Sequence, residues 1–129
     1  MIYLLIGFGS ALGGMMRYWC SIHITTFLGH NFPWDIIIIN VIGSFVIGLA
    51  AAMSGPDSKW ALDFETKQFL MVGICGGYTT FSSFSLQTMN LLHDGKMLQA
   101  SGNIILSVIF CLISVKLGYS LTSYINHVR

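Results

Sequence analysis

The sequence predicts an all-α protein that crosses a membrane four times and interrupts its third span near the middle. Three observations carry this expectation. Of 129 residues, 54% are hydrophobic and only 9% charged, and the mean hydropathy is +0.73. A soluble domain carries about 25% charged residues, so a water-facing surface cannot be built from so few. At roughly 20 residues per span plus short loops, the length allows about four spans in a single domain, residues 1–129. The segment Gly76-Gly77-Tyr78-Thr79-Thr80-Phe81-Ser82-Ser83-Phe84-Ser85 then places glycines and hydroxyls inside an otherwise apolar stretch.

The first span is expected from about Ile2 to Phe27. No basic region precedes its apolar run, so it reads as a retained span and not as a cleaved signal. The second is expected from Phe32 to Met53, the third from Gln68 to Leu92 and the fourth from Leu98 to Tyr124. Between them lie Gly29-His30-Asn31-Phe32-Pro33, Ser54-Gly55-Pro56-Asp57-Ser58-Lys59 and His93-Asp94-Gly95-Lys96, which carry turn residues and charge. Four spans put both termini on one side together with Lys59, Lys67 and Arg129. Lys116 can snorkel toward that side, while Lys96 and Arg17 belong to the other. The positive-inside rule favours cytoplasmic termini by a narrow margin, so insertion in both orientations is a live expectation.

The third span is where function is expected. Adjacent glycines weaken a helix by roughly 1 kcal/mol each relative to alanine, and Gly76-Gly77 therefore mark the expected break. Irregular backbone at membrane depth is tolerated where it lines a cavity or is buried in protein.

Several chemistries are excluded or disfavoured. Asp35, Asp57, Asp63, Glu65 and Asp94 all fall in loops or within a turn of a span end, so the acidic relay usual in proton-coupled transporters is missing. Cys20, Cys75 and Cys111 share no metal-ligand spacing, and no Ser-His-Asp or Cys-His arrangement supports an enzyme. A net charge of +1 argues against a nucleic-acid partner.

Small residues in rows, Gly9-Gly13 and Ser10-Gly14 in the first span and Ser44-Gly48-Ala52 in the second, predict close helix packing. Arg17 either snorkels, supplies a positive charge at an anion vestibule, or clamps carbonyls of another span. Asn40, a lone amide after Ile36-Ile37-Ile38-Ile39, either bonds between helices or faces a pore. Phe81 and Phe84 share a helix face, and their ring edges carry partial positive charge. Beside the hydroxyls of Thr80 and Ser83 they form a candidate anion path. Ser107 and Ser114, with Asn103, add polar groups along the fourth span.

Taken in order, Gly13-Gly14-Met15-Met16-Arg17-Tyr18, Asn40-Val41-Ile42-Gly43-Ser44-Phe45 and the third-span decapeptide resemble the Fluc (CrcB) fluoride channels of bacteria, over the whole chain. The resemblance implies an antiparallel, dual-topology homodimer in the bacterial inner membrane, with two fluoride pores around one central sodium ion. It implies that Phe81 and Phe84 are the paired pore phenylalanines, that Asn40 is the pore asparagine, and that the carbonyls of Gly76 and Thr79 hold the sodium. The fourth span departs from the pattern, since hydroxyls expected near Cys111 and Val115 are absent. The function expected is passive fluoride efflux that lowers fluoride toxicity, with fluoride, lipid and a second copy as partners. The alternative is a small dual-topology exporter of cationic drugs, which would place an acidic residue in its first span; this chain has none there. A third reading, an accessory subunit of a larger membrane complex, leaves the third-span motif unexplained.

Overall fold

The computed structural model describes residues 1–55 and 58–128. Pro56 and Asp57 of the second expected loop, and Arg129 of the charge count, lie outside the described residues. The chain is built from helical segments: α1 (Ile2–Leu28), α2 (Trp34–Met53), α3 (Phe64–Gln68), a π-helical stretch Phe69–Cys75, α4 (Gly76–Tyr78), α5 (Phe81–His93) and α6 (Met97–Val128). No strand occurs among the described residues.

Local sequence sets each boundary. Gly29 closes α1 with φ 84°, a conformation only glycine adopts without strain. Pro33 precedes α2, and Asp35 lies in its first turn, where a carboxylate suits the positive helix end. The third span starts at Phe64, ahead of the expected Gln68, because Asp63 caps it. The Thr66 amide donates to Asp63 Oδ2 at 3.2 Å and its hydroxyl to Oδ1 at 2.6 Å.

The third span is interrupted, but not at the expected residues. Gly76 and Gly77 are helical, and the chain becomes extended at Thr79 (φ −81°, ψ 160°) and Thr80 (φ −153°, ψ 117°). The glycines weaken the helix without ending it; what ends it is a better set of partners for the Thr80 backbone, described below. Thr80 then caps α5, its Oγ1 accepting from the Ser83 amide at 3.1 Å.

Glycines serve close approach instead. A Cβ on Gly13 would run into the Ile74 carbonyl, and one on Gly77 into the Ser10 backbone, whereas Gly14 has nothing within 4 Å. On the other side of the molecule, Gly48 meets the Val115 carbonyl and Gly118 the Phe45 carbonyl. Gly9 lies against Phe69 and Gly73 while Gly13 lies against Ile74 to Tyr78, and Val41 pairs with Ser114 while Leu49 pairs with Thr122. Residue numbers rise together in both sets, so α1 runs parallel to the first half of the third span and α2 runs parallel to α6. That is the arrangement of four segments that reverse direction at each loop. Ser114 Oγ to Val41 O at 2.8 Å fastens the α2–α6 seam further.

α2, Phe64–His93 and α6 have the length and apolarity to cross a membrane, with mean hydropathies of 2.5, 1.3 and 2.2. α1, with 27 residues, extends about 40 Å at ~1.5 Å per residue, long enough to cross, but its glycines, Ser10 and Arg17 lower its hydropathy. Outward faces are apolar: Tyr18, Leu98 and Leu112 are largely exposed, as a lipid-facing surface requires.

Candidate functional site

The site is built around the extended pair Thr79-Thr80. In an uninterrupted helix the Thr80 amide would close on the Gly76 carbonyl. Here it donates to Asn40 Oδ1 at 2.8 Å, and Asn40 Nδ2 donates back to the Thr80 carbonyl at 3.0 Å. One amide side chain thus satisfies both polar groups of a residue that is only 6% exposed. This pairing makes the break tolerable in an apolar interior and leaves the Gly76 carbonyl without that helical donor. The neighbouring carbonyl of Thr79 accepts from Arg17 Nη1 at 3.3 Å. Of the roles left open for Arg17, the structure places its guanidinium on a carbonyl of the third span.

Asn40, Thr80, Phe84 and Ser107 border one cavity of about 460 Å³, with Gly76, Thr79 and Phe81 also in its wall. The two phenyl rings are tilted neighbours, centroids 5.3 Å apart. They differ in setting, because Phe84 is 9% exposed while Phe81 is 78% exposed and projects from the protein. Phe81 is also the first residue of α5, so the cavity faces the positive end of a helix.

The other expected positions fall outside the wall. Ser83 lies behind Thr80, accepting from its hydroxyl at 3.1 Å. Ser114, expected on the anion path, instead spends its only proton on the Val41 carbonyl; seven residues from Ser107, it has drifted around the helix to the α2 seam. Ser44 and Cys111 were not singled out as site residues, yet both line the cavity. The signal was present, since Ser44 is four residues from Asn40 and Cys111 four from Ser107, and such pairs share a helix face.

The four described carboxylates stay away from this cavity. Asp35 accepts from the Ser21 hydroxyl at 2.6 Å, Asp63 caps α3, Glu65 is in the first turn of α3, and Asp94 follows α5. The expected loop placement of Asp57 lies outside the described residues. No group of three or more His, Cys, Asp or Glu side chains that could hold a metal ion occurs among the described residues. What the cavity offers a small ion is therefore neutral: hydroxyls, an amide, two phenyl rings and backbone carbonyls.

Comparisons with known proteins agree with this chemistry. A family model described as CrcB-like protein, camphor resistance (CrcB), matches residues 4–119. The fluoride-specific ion channel of Rhodospirillum rubrum is 51% identical over 119 residues, 92% of each chain. That of Methylocella silvestris is 46% identical over 129 residues, all of this chain and 98% of the relative, and that of Paramagnetospirillum magneticum 48% over 124 residues, 96% and 97%. A match of this extent, over nearly the whole length on both sides, means that the chain belongs to the CrcB family.

Proposed function

We propose that this multi-span membrane protein is a fluoride-specific ion channel, a passive conduit and not an enzyme. The observation that carries the reading is the helix break at Thr79-Thr80, held by Asn40 and opening onto a cavity lined by neutral polar groups and two phenyl rings. Its relatives named as fluoride-specific ion channels support it.

Fluoride is small and strongly hydrated, so a conduit must replace its water with donors without trapping it. A full positive charge in the wall would hold it too tightly, whereas hydroxyls, an amide N–H and ring edges bind more weakly. Asn40 uses one N–H on Thr80 and keeps a second. Thr80 donates to Ser83 Oγ, which leaves the Ser83 proton free to turn. Ser107 donates to Asn103 Oδ1 over a long 3.4 Å, a bond readily exchanged for an ion. The N-terminal end of α5 adds a fractional positive charge. None of the four described carboxylates opposes the anion or offers the proton relay of an exporter.

The working unit we propose is a homodimer in the bacterial inner membrane, antiparallel and inserted in both orientations. A single chain leaves Phe81 and one side of the cavity uncovered, and a second copy on a twofold axis would close both. The carbonyls of Gly76 and Thr79 suit a sodium ion at that axis. The Gly76 carbonyl has lost the Thr80 amide, and neutral oxygens favour a hard monovalent cation. Bound there, sodium would supply charge to the Gly76 carbonyl, which the break leaves under-satisfied, and would share the Thr79 carbonyl with Arg17.

Purified protein in liposomes tests the function: a fluoride gradient should collapse with a chloride gradient intact. Flux of a cationic drug driven by a proton gradient, without fluoride flux, would instead support the exporter. Labelling of Lys59→Cys and of Lys96→Cys from both faces in comparable amounts supports dual insertion, and labelling of each from one face rejects it. Exchange of sodium for a large organic cation should weaken the dimer or abolish flux; unchanged rate and stability would remove the sodium site.

A further inference from the structure

α5 is a 13-residue helix whose outward residues, Phe81, Ser82, Ser85, Leu86 and Met89, are exposed. A short helix with so little around it needs specific fastenings to keep its angle. One is the Asn40–Thr80 pair at its N-terminal end. A second lies two turns further on, at Thr88. Asn103 of α6 is fully buried, and its Nδ2 donates to Thr88 Oγ1 at 2.8 Å. The Thr88 hydroxyl in turn donates to the Phe84 carbonyl at 2.8 Å, and Asn103 Oδ1 accepts from Ser107. An asparagine with no accessible surface touches no ion, yet it ends on the backbone of the buried phenylalanine in the cavity wall.

We propose that Asn103 is a positioning residue for the ion path: through Thr88 it fixes the rotation of α5 on α6 and thereby where the Phe84 ring meets the cavity. The donor and acceptor roles are forced. The amide N–H can only donate, so Thr88 must accept from Asn103 and direct its own proton at the Phe84 carbonyl. With Asn103 removed, the Thr88 hydroxyl is free to change rotamer and the carbonyl loses its additional donor. Asn103 and Asn40 thus do the same job from opposite sides, one amide from α6 and one from α2, about 12 Å apart along α5 at ~1.5 Å per residue.

The inference rests on the fluoride-channel reading for its functional consequence but not for its geometry, and the two are tested apart. In protein labelled with 4-fluorophenylalanine, the ¹⁹F signal missing from Phe84→Leu identifies the Phe84 ring. Asn103→Ala and Thr88→Val should each shift or split that signal, whether or not the protein conducts fluoride; an unmoved signal in both overturns the proposal. In liposomes, each variant should lower fluoride flux roughly tenfold, the scale of effect expected when a reacting or binding group is misplaced by a fraction of an ångström to an ångström. Combined with Phe84→Leu, Asn103→Ala should lower flux no further, because it acts through that ring. A full additional loss in the double variant means that Asn103 acts by another route, through Ser107 or on the fold at large, and also overturns the proposal. The expected ¹⁹F shifts in the variants, together with a wild-type protein that passes no fluoride, would leave the positioning role standing and remove the channel function instead.

Discussion

Replacing Asn40 with alanine removes both hydrogen bonds to Thr80 while leaving the rest of α2 helical. The two lost bonds, at 2.8 and 3.0 Å, orphan one amide and one carbonyl on a residue that is 6% exposed. An unsatisfied buried polar group costs about 1–3 kcal/mol, so the pair costs about 2–6 kcal/mol. Because the cavity admits water on one side, the lower part of that range applies, about 3 kcal/mol. At 1.4 kcal/mol per tenfold, the amides of Thr80 to Ser83 should exchange with solvent about a hundredfold faster in Asn40→Ala. Asn40→Asp keeps an acceptor for the Thr80 amide and loses only the donor to its carbonyl, so its exchange should be accelerated by about half as much on a logarithmic scale. Hydrogen exchange by mass spectrometry in lipid nanodiscs resolves this segment. Protection at Thr80 to Ser83 that stays within about threefold of wild type in Asn40→Ala would refute the argument that this amide holds the break.

Four further outcomes follow from the geometry. Phe84→Ile should suppress fluoride flux in liposomes with folding and assembly nearly intact on size-exclusion, since the volume change is modest; unchanged flux demotes the ring to packing. Asn40→Asp should reduce flux roughly a hundredfold, because a carboxylate about 5 Å from a passing anion opposes it by about 3 kcal/mol at an effective dielectric of about 20; normal conduction removes Asn40 from the path. Gly13→Ala should destabilise by about 1–3 kcal/mol through collision with the Ile74 carbonyl, whereas Gly14→Ala, with open space around it, should be neutral or stabilising; equal unfolding midpoints in detergent would show that the α1 contact is looser than described. The Thr66 hydroxyl and amide hold the Asp63 carboxyl below its ordinary value of 3.8. A depressed folded value means that the cap stabilises α3 at neutral pH and fades as pH falls through that value. NMR titration should find the Asp63 midpoint below 3.8 and moved upward in Thr66→Val; a midpoint that does not move rejects the hydroxyl's part in the cap.

The four-span plan was legible because it depends on composition and spacing, which lipid constrains directly. That the third span would be irregular was legible for the same reason, since glycine and five hydroxyl residues conflict with an apolar helix. Where it breaks was not legible. Gly76-Gly77 have the weakest propensity, but the outcome turns on Asn40, thirty-nine residues before Thr79 in the chain and visible only as a lone amide. Ser107 and Ser114 show the limit of face arguments over two turns, because seven residues fall short of two full helical turns, enough to carry one hydroxyl from cavity to seam. The π-helical stretch has no signature in Phe-Leu-Met-Val-Gly-Ile-Cys that separates it from an α-helix. Thr88 and Asn103 are ordinary polar residues in sequence and become a pair only once α5 and α6 are laid side by side.

The π-helical stretch Phe69–Cys75 bears on how chains of this kind can change in length. A π turn closes from i to i+5, where an α turn closes from i to i+4, so it takes in roughly one residue more for the same advance. Loss of one residue between positions 69 and 75 would let that stretch relax to α geometry with Thr79 still facing Asn40. The same loss between Gly76 and Thr79, where no slack exists, would rotate everything beyond it by roughly 100° for one residue at 3.6 per turn and carry Thr80 away from its amide partner. The third span therefore has one stretch where loss of a single residue is absorbed, immediately before four residues where it is not.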